Sequence, residues 1–229
     1  MKKRNEKNHR NRVISNELSP NLKSYWKDEK EPVWFGTIFP YILRECVEGR
    51  ILDVGCGNGA IANELIRHGK DVWGIDLDSV GISIANEVCK KNGIDEKRFF
   101  VCDITKSELP SSLKNIKFDI VICTEVVEHM YSPDKLVKFC HDCVNGGKLI
   151  ISTPYHGYIK NLVLSVLNRW DRHFFALIEG AHIKFWSKKT LSILLERNGW
   201  SVKRYYGTGR IPFLWKSMIM ICEYNEIAW

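Results

Sequence analysis

Residues 51–60, ILDVGCGNGA, place three glycines at alternate positions directly after a short apolar segment. Glycine has no β-carbon, so the backbone N–H groups of such a loop can approach a ligand closely. A helix that begins at Ala60 would add its positive end at the same place. The stretch therefore predicts a strand, a ligand-binding loop and a helix, which together open a nucleotide-binding α/β domain.

The glycine loop alone leaves two classes of cofactor open. Gly55, Gly57 and Ala60 also satisfy the G-x-G-x-x-G/A pattern of dinucleotide-binding domains, so NAD and other adenosyl ligands both fit. Asp76 ends a second apolar segment about 20 residues further on, where a carboxylate can accept both ribose hydroxyls. That position serves either cofactor.

Two further carboxylates favour S-adenosylmethionine. Asp53 lies two residues before the first glycine, where it can meet a positively charged amino-acid group. Asp103 follows a third apolar segment and can accept a hydrogen bond from an adenine amino group. Because no residue in this set calls for a pyrophosphate, the three carboxylates together predict a sulfonium cofactor.

Strand and helix patterns alternate from Arg50 onward, which predicts an α/β fold with a parallel sheet and helices on both faces. In such a doubly wound, Rossmann-like sheet, ligands bind at the carboxyl ends of the strands, where the strand order reverses. We predict strands over 50–54, 71–75, 98–102, 118–123, 148–152, 200–206 and 217–224, and helices over 60–68, 79–92, 134–143 and 188–198. Gly146 and Gly147 are predicted to end the helix before the fifth strand.

An acidic and histidine motif follows the fourth predicted strand. Glu125, Glu128 and His129 are spaced so that one helical turn would project all three to one side. Their oxygens favour Mg²⁺ or Mn²⁺, while the imidazole also suits Zn²⁺ or Fe²⁺. His182, in a loop after the fifth strand, can fold back over the same crevice as a fourth ligand. The alternative interpretation is a solvated helix turn with a capping acid.

With these motifs the chain resembles the class I S-adenosylmethionine-dependent methyltransferases, from about Trp34 to Cys222. The resemblance implies a mostly parallel seven-stranded sheet whose last strand is antiparallel. Length and composition predict one domain over 32–229, preceded by a basic, partly disordered tail over 1–31. The resemblance also implies a set of cofactor-binding residues, which are Asp53, Gly55, Cys56, Gly57, Asp76, Leu77, Asp103, Ile104 and Thr124.

Two groups of that family resemble this chain at Glu-x-x-Glu-His and at a downstream histidine. They are the ubiquinone-biosynthesis O-methyltransferases and the small-RNA 3′-terminal 2′-O-methyltransferases. By that resemblance Glu125, Glu128, His129 and His182 are candidate ligands of a divalent cation such as Mg²⁺. Glu128, His129 and His182 are in addition the candidate catalytic residues.

The chemistry of methyl transfer explains why a hydroxyl acceptor would need a metal. A neutral alcohol or phenol is a poor nucleophile until its proton is lost, and a cation lowers the pKa of the hydroxyl. Amine methyltransferases that act on nucleobases carry an Asn/Asp-Pro-Pro-aromatic turn after the fourth strand, whereas this chain has Cys-Thr-Glu-Val at 123–126. Oxygen is therefore the favoured acceptor atom.

The segment over about 155–180 is predicted to be a helical lid inserted after the fifth strand. Its apolar residues recur at helical spacing, namely Tyr158, Ile159, Leu162, Val163, Val166, Leu167 and Trp170. Most such stripes pack in a core. The alternatives are a lid over an apolar acceptor and a peripheral membrane helix with Lys160, Arg169 and Arg172 on its polar side. Either alternative suits a small quinol-like or phenol-like acceptor.

Charge is concentrated in the tail, because residues 1–12 hold six Lys or Arg and one Glu and so account for +5 of the net charge of +7. A tail of this composition is most simply disordered, and an arm that binds RNA is the alternative. RNA recognition would also use Arg210 and Lys216, with Trp26, Trp34, Trp170 and Trp186 stacking on bases. A sugar of a surface polysaccharide is a third class of methyl acceptor, beside small quinol-like or phenol-like compounds and the 3′-terminal ribose of RNA. The oligomeric state is not predicted.

Eight scattered cysteines, without a secretory signal, predict reduced and mostly buried thiols. Cys140 and Cys143 form a C-x-x-C inside a predicted helix and have no partner pair, so a metal or redox role is not favoured. No apolar stretch approaches the ~20 residues of a membrane span. These features predict a cytoplasmic protein.

Overall fold

The structure is a computed structural model that describes residues 26–94, 96–106, 108–174 and 181–224. The predicted basic tail lies outside the described residues as far as residue 25, and so does the last part of the predicted lid insertion, 175–180.

Seven strands form one sheet in the order β3-β2-β1-β4-β5-β7-β6. Strands β1 to β5 pair in parallel, whereas β7 pairs antiparallel with both β5 and β6. The predicted mostly parallel sheet with an antiparallel last strand is confirmed. The strands are β1 (Arg50–Val54), β2 (Asp71–Asp76), β3 (Phe99–Val101), β4 (Phe118–Thr124), β5 (Val144–Pro154), β6 (Trp200–Thr208) and β7 (Ser217–Tyr224).

Helices cover both faces of the sheet, as predicted. Alternate residues along each strand point to opposite faces, so Ile51 joins one apolar cluster and Leu52 the other. Helices α1, α2 and α3 pack in the Ile51 cluster, and α4 and α7 pack in the Leu52 cluster. The helices are α1 (Phe35–Glu45), α2 (Ala60–Arg67), α3 (Ser79–Lys91), α4 (Pro133–Cys143), α5 (Tyr158–Val166), α6 (Trp170–Phe174) and α7 (Lys188–Glu196).

Helix α1 and the place of two glycines differ from the sequence prediction. Helix α1 was not predicted, and it contains Pro40, a residue that usually ends a helix. Gly146 and Gly147 do not end α4, because β5 begins at Val144 and both glycines lie within that strand. A β-carbon at Gly147 would lie 2.1 Å from the carbonyl oxygen of Asp119, so glycine is what allows β5 to approach β4.

The lid insertion contains two helices where one continuous stripe was predicted. Asn168 adopts a left-handed conformation with a φ of 48°, and this residue separates α5 from α6. The stripe faces solvent, since Tyr158 is 81% exposed and Val166 74% exposed. The expectation that it packs in the core is therefore wrong for most of its residues. Helix α5 instead buries Lys160 and Leu164.

All eight cysteines are free and buried, so the prediction that most of them are buried is confirmed. Burial raises the pKa of Cys143 to about 12. Within the described ranges, no helix has both the length and the apolar character that crossing a membrane requires.

Candidate active site

The glycine loop joins β1 to α2 in a backbone conformation that needs glycine. Gly55, Gly57 and Gly59 have φ values of 76°, 58° and 74°, in the left-handed region. The N–H groups of Gly55 and Cys56 donate to the carbonyl oxygen of Ile75, at 2.8 and 3.0 Å, which fixes the loop to the end of β2. The loop therefore lies at the carboxyl ends of β1 and β2, where the sequence places a ligand site.

Trp26 covers one side of this loop. Its side chain is 8% exposed, and a β-carbon at Gly57 would lie 2.2 Å from its ring. The Asn58 side chain donates to the carbonyl oxygens of Asp28 and Lys30, at 3.1 and 3.0 Å. Residues 26–31, which the sequence analysis assigned to the basic tail, thus contact the cofactor loop.

A pocket opens beside the loop. Predicted cofactor-binding residues in its lining are Gly55, Asp76, Leu77, Asp103 and Ile104. Cys102, which with Asp103 and Ile104 resembles the adenine-binding segment of the family, also lines it, and the sequence analysis missed Thr105 and Val126. Four other predicted cofactor-binding residues are buried and do not line the pocket, although each lies within two residues of one that does. They are Asp53, Cys56, Gly57 and Thr124. Each missed residue lies directly after a predicted site residue in the sequence. Its position close behind the end of a strand could therefore have predicted it.

The predicted ribose-binding and adenine-binding acids have defined hydrogen bonds. Asp76 accepts from the N–H groups of Gly57 and Asp78, at 2.8 and 2.9 Å, so its carboxylate joins the loop to the start of α3. Asp103 accepts from the N–H and hydroxyl of Thr105, at 3.0 and 2.6 Å. Both residues also line the pocket.

Glu125 departs from the predicted helical turn. It has a φ of 53° and precedes a 3-10 turn over Val127–His129. Its Oε1 accepts from the hydroxyl of Ser152 at 3.0 Å. The structure does not bring Glu125 into the same group of ligand atoms as Glu128 and His129. The motif is not one helical turn, because Glu125 adopts a left-handed backbone conformation before the 3-10 turn begins. The prediction that one turn projects all three side chains to one side is therefore wrong.

Glu128, His129 and His182 do come together. One ligand atom of each lies within 4.8 Å of the other two, and the two imidazole rings are 5.0 Å apart. The Thr153 hydroxyl donates to Oε2 of Glu128 at 3.0 Å. One carboxylate and two imidazoles form a donor set that suits a divalent transition metal, and we refer to these three residues as the Glu-His-His triad.

The backbone explains how His182 reaches this place. The carbonyl oxygen of Glu128 accepts from the N–H groups of both Ile183 and Lys184, at 3.0 Å each. These two bonds fix the loop after the lid insertion against the 3-10 turn. Burial lowers the pKa of His182 to about 4, with a further contribution from the charge of Lys160. The ring is therefore neutral at pH 7, which is the form that binds a metal.

A second group of side chains from the lid insertion lies next to the triad, and the sequence analysis did not single it out. Burial lowers the pKa of His156 and His173, to about 3 and about 4. Their rings are 5.3 Å apart, and the ring of Phe174 stacks on His156 with 5.5 Å between centroids. No motif in the sequence marks these residues, because their proximity depends on how the insertion folds.

A model of the methyltransferase domain family matches residues 14–204 of this chain. Ubiquinone biosynthesis O-methyltransferase of Pseudomonas entomophila is 28% identical over 149 residues, which are 61% of this chain and 62% of that protein. The protein of the same name from Pseudomonas aeruginosa is 26% identical over 150 residues, with the same coverage. The chain thus matches 62% of the length of these relatives.

Solved structures share the fold at lower identity. A protein from Pyrococcus horikoshii superposes with a TM-score of 0.68 at 18% identity, over 89% of this chain and 97% of that one. Magnesium protoporphyrin IX methyltransferase from Synechocystis PCC 6803 with bound SAH gives a TM-score of 0.61 at 18% identity, over 82% and 80% of the two chains.

Proposed function

Because this chain belongs to the methyltransferase domain family, we propose that it is an S-adenosylmethionine-dependent methyltransferase that methylates a hydroxyl group of a small acceptor. The Glu-His-His triad carries the proposal. Its first residue, Glu128, lies two residues after Val126, which lines the pocket proposed for the cofactor. A site that activates a hydroxyl has to lie beside the methyl donor, since methyl transfer is an in-line displacement.

The transfer itself needs three events. The acceptor hydroxyl loses its proton, its oxygen forms a bond to the methyl carbon, and the bond from that carbon to sulfur breaks and leaves S-adenosylhomocysteine. A divalent cation held by Glu128, His129 and His182 would supply a Lewis acid that lowers the pKa of the hydroxyl. A carboxylate or imidazole of the site then takes the proton. The two imidazoles favour Mn²⁺, Fe²⁺ or Zn²⁺ over Mg²⁺.

The remaining proposed roles belong to the cofactor. Asp76 binds the ribose hydroxyls, Asp103 and Ile104 bind the adenine, and Asp53 attracts the amino-acid end of S-adenosylmethionine. The lining of the pocket by Gly55, Asp76 and Asp103 supports these assignments. The relatives named ubiquinone biosynthesis O-methyltransferase support a quinol-like or phenol-like acceptor.

The test is the turnover of labelled S-adenosylmethionine against a panel of phenols, quinols and sugars, with EDTA and with Mn²⁺, Zn²⁺ or Mg²⁺ added back. We expect EDTA to abolish turnover and one added ion to restore it. Glu128→Gln and His129→Asn should each lower kcat at least about 100-fold with little change in the Kd of the cofactor. His68→Asn, an exposed histidine on the far end of α2, is the control. Full activity of both triad variants would rule out metal assistance.

Two alternatives for the acceptor receive different support. RNA binding by stacked tryptophans is weakened, because Trp26 and Trp186 are buried, at 8% and 9% exposed. An apolar acceptor or a membrane surface is supported by the exposed face of α5, where Leu162 is 49% exposed. Retention of the protein on vesicles, and its loss in Leu162→Ser, would test the membrane contact. A surface-polysaccharide sugar is tested by the acceptor panel.

A further inference from the structure

Lys160 of helix α5 is buried, which is unusual for a lysine. It is 3% exposed, although lysine is almost never fully buried unless its charge is paired. The pKa of Lys160 is lowered to about 8, mainly by burial and in addition by the positive charge of Arg210, while the negative charge of Glu125 opposes the shift. Helix α5 thus directs a charged side chain inward together with Leu164 and leaves most of its apolar residues in solvent, unlike an ordinary surface helix.

The ammonium group of Lys160 lies at the same edge of the sheet as the site. Its Nζ donates to the carbonyl oxygen of Lys216 at 3.3 Å, and that carbonyl also accepts from the N–H of Tyr155, the residue after β5. An ammonium has three donors, and among the described residues this is one hydrogen bond. Glu125, whose charge acts on Lys160, follows β4 directly. Lys160 therefore lies at the carboxyl end of β5, the strand whose Thr153 contacts the carboxylate of the triad.

Two imidazoles lie at the same end of β5. Tyr155, the residue before His156, donates to the carbonyl oxygen of Lys216 that also accepts from Lys160. The ring of His173 is 5.3 Å from that of His156. His156 is 6% exposed, and within the described ranges neither of its ring nitrogens makes a hydrogen bond of good geometry. A buried polar ring of this kind costs free energy unless a ligand completes its hydrogen bonds.

An aromatic wall closes the other side of this group. The rings of Phe174 and Phe185 are 4.5 Å apart, and both contact His156, at 5.5 and 5.1 Å between centroids. Phe185 is 50% exposed, so part of its ring surface is available to a ligand. A planar or apolar body can pack there while its polar end meets Lys160.

We propose that Lys160 binds an anionic group of the methyl acceptor, so that the acceptor is a hydroxyl compound that carries a carboxylate or a phosphate. The anion supplies the hydrogen-bond acceptors that a buried ammonium lacks, and it neutralises a charge that is costly to bury alone. His156 and His173 donate to the same anion, and Phe174 and Phe185 contact the body of the molecule. This inference rests on the proposed function and narrows the acceptor to acids.

The test compares ligands that differ in charge alone. The full chain, saturated with S-adenosylhomocysteine, is titrated by calorimetry with 3,4-dihydroxybenzoate and with 3,4-dihydroxybenzamide, and 3,4-dihydroxyphenylphosphonate distinguishes phosphate-like from carboxylate anions. We expect the wild type to bind one of the two acids at least about tenfold more tightly than the amide. Equal affinity for acids and amide, or no binding of either acid, overturns the inference.

Variants assign the preference to Lys160. Lys160→Met should remove it, Lys160→Arg should keep most of it, and Lys189→Met, an exposed lysine on α7, should leave it unchanged. The affinity for S-adenosylhomocysteine shows that each variant is folded. An undiminished preference in Lys160→Met overturns the assignment. The wild-type comparison needs no variant, so an unfolded Lys160→Met would still leave the proposal decided.

The experiments distinguish failure of this inference from failure of the proposed function. Methylation of hydroxyl compounds without any preference for acids would remove this inference and leave the proposed function intact. Absence of methylation of every hydroxyl acceptor would remove the proposed function, whatever the binding measurements show.

Discussion

Glu125 and Glu128 are each held by one hydroxyl from the end of β5. The left-handed φ of 53° at Glu125 costs about 1–2 kcal/mol for a residue with a β-carbon. Ser152 offsets this, because its carbonyl oxygen accepts from the Glu125 N–H at 3.0 Å and its hydroxyl donates to the Glu125 carboxylate at 3.0 Å. Thr153 orients Glu128 in the same way. Neighbouring residues of one strand therefore fix two carboxylates separately.

Thr153→Val should weaken metal binding by about 10–100-fold, because the hydroxyl that orients the proposed ligand Glu128 is lost. The measurement is titration of the apo protein with Mn²⁺ or Zn²⁺, together with kcat at saturating metal. Ser152→Ala is the matched control, since it releases Glu125, which lies outside the triad. Equal losses in both variants would contradict the assignment of the ligand set.

The pKa of Lys160, about 8, gives a pH prediction. Above pH 8 the ammonium loses its proton, whereas an ordinary lysine stays charged to about pH 10. His156, His173 and His182 have pKa values of about 3, 4 and 4 and stay neutral throughout this range, so Glu125 and Arg210 are the charges that act on Lys160. The preference for acid over amide should fall by up to about tenfold from pH 7 to pH 9.

Calorimetry at each pH measures this ratio. Because a carboxylate and a carboxamide shift the pKa of the ring hydroxyls differently, that pKa is determined for each probe and the ratio is corrected for it. Lys160→Arg should keep the ratio constant, since arginine stays charged. A wild-type ratio that does not change up to pH 9.5 would contradict the role of Lys160.

At the residue scale, the sequence predicted the triad but not its neighbours. Glu128, His129 and His182 were predictable, since a motif at a strand end and a returning loop meet wherever this sheet forms. Lys160 and His156 were not, because a lysine within an apolar stripe ordinarily extends to solvent. Its burial depends on the orientation of α5, which periodicity alone does not determine.

At the scale of elements, α5 offers a direct contrast between its exposed and its buried residues. Val166→Ser, at a position 74% exposed, should change the free energy of unfolding by no more than about 0.5 kcal/mol. Leu164→Ala, at a position 8% exposed, should cost about 2–5 kcal/mol. Urea denaturation measures both. A large loss of stability in Val166→Ser would show that the apolar face is covered rather than exposed.

The segment that contains Trp26 gives a second prediction at this scale. Trp26→Ala should weaken binding of S-adenosylmethionine at least about tenfold, because the ring that packs on Gly57 and Gly81 is removed. Calorimetric titration measures the effect, and Trp26→Phe should restore part of it. Phe213→Ala, at a position 55% exposed, is the control. Unchanged affinity in Trp26→Ala would mean that the segment only lies beside the loop.

Strands were the elements that the sequence predicted best. β1 and β7 have the predicted bounds, since apolar alternation and flanking turn residues agree there. Helix α1 was missed because Pro40 contradicts the local pattern, and its burial against the sheet outweighs that preference. The break at Asn168 was missed because the apolar spacing continues across it.

At the scale of the whole molecule, charge and catalysis are separable. Deleting residues 1–12 removes six Lys or Arg and one Glu from a chain of net charge +7. Turnover on small hydroxyl acceptors should be unchanged, while any salt-dependent binding to RNA should weaken. Turnover and filter binding at two salt concentrations check both statements. A loss of small-molecule turnover would give the tail a part in the reaction.

The order of the strands also constrains when the sheet can be completed. β7 follows β6 along the chain but lies between β5 and β6, so β6 has no partner in the sheet before β7 exists. During synthesis on the ribosome, the edge of β5 stays open until the chain as far as Tyr224 has emerged. Nascent chains that stall between β6 and β7 should therefore be the species that chaperones bind and that aggregates capture.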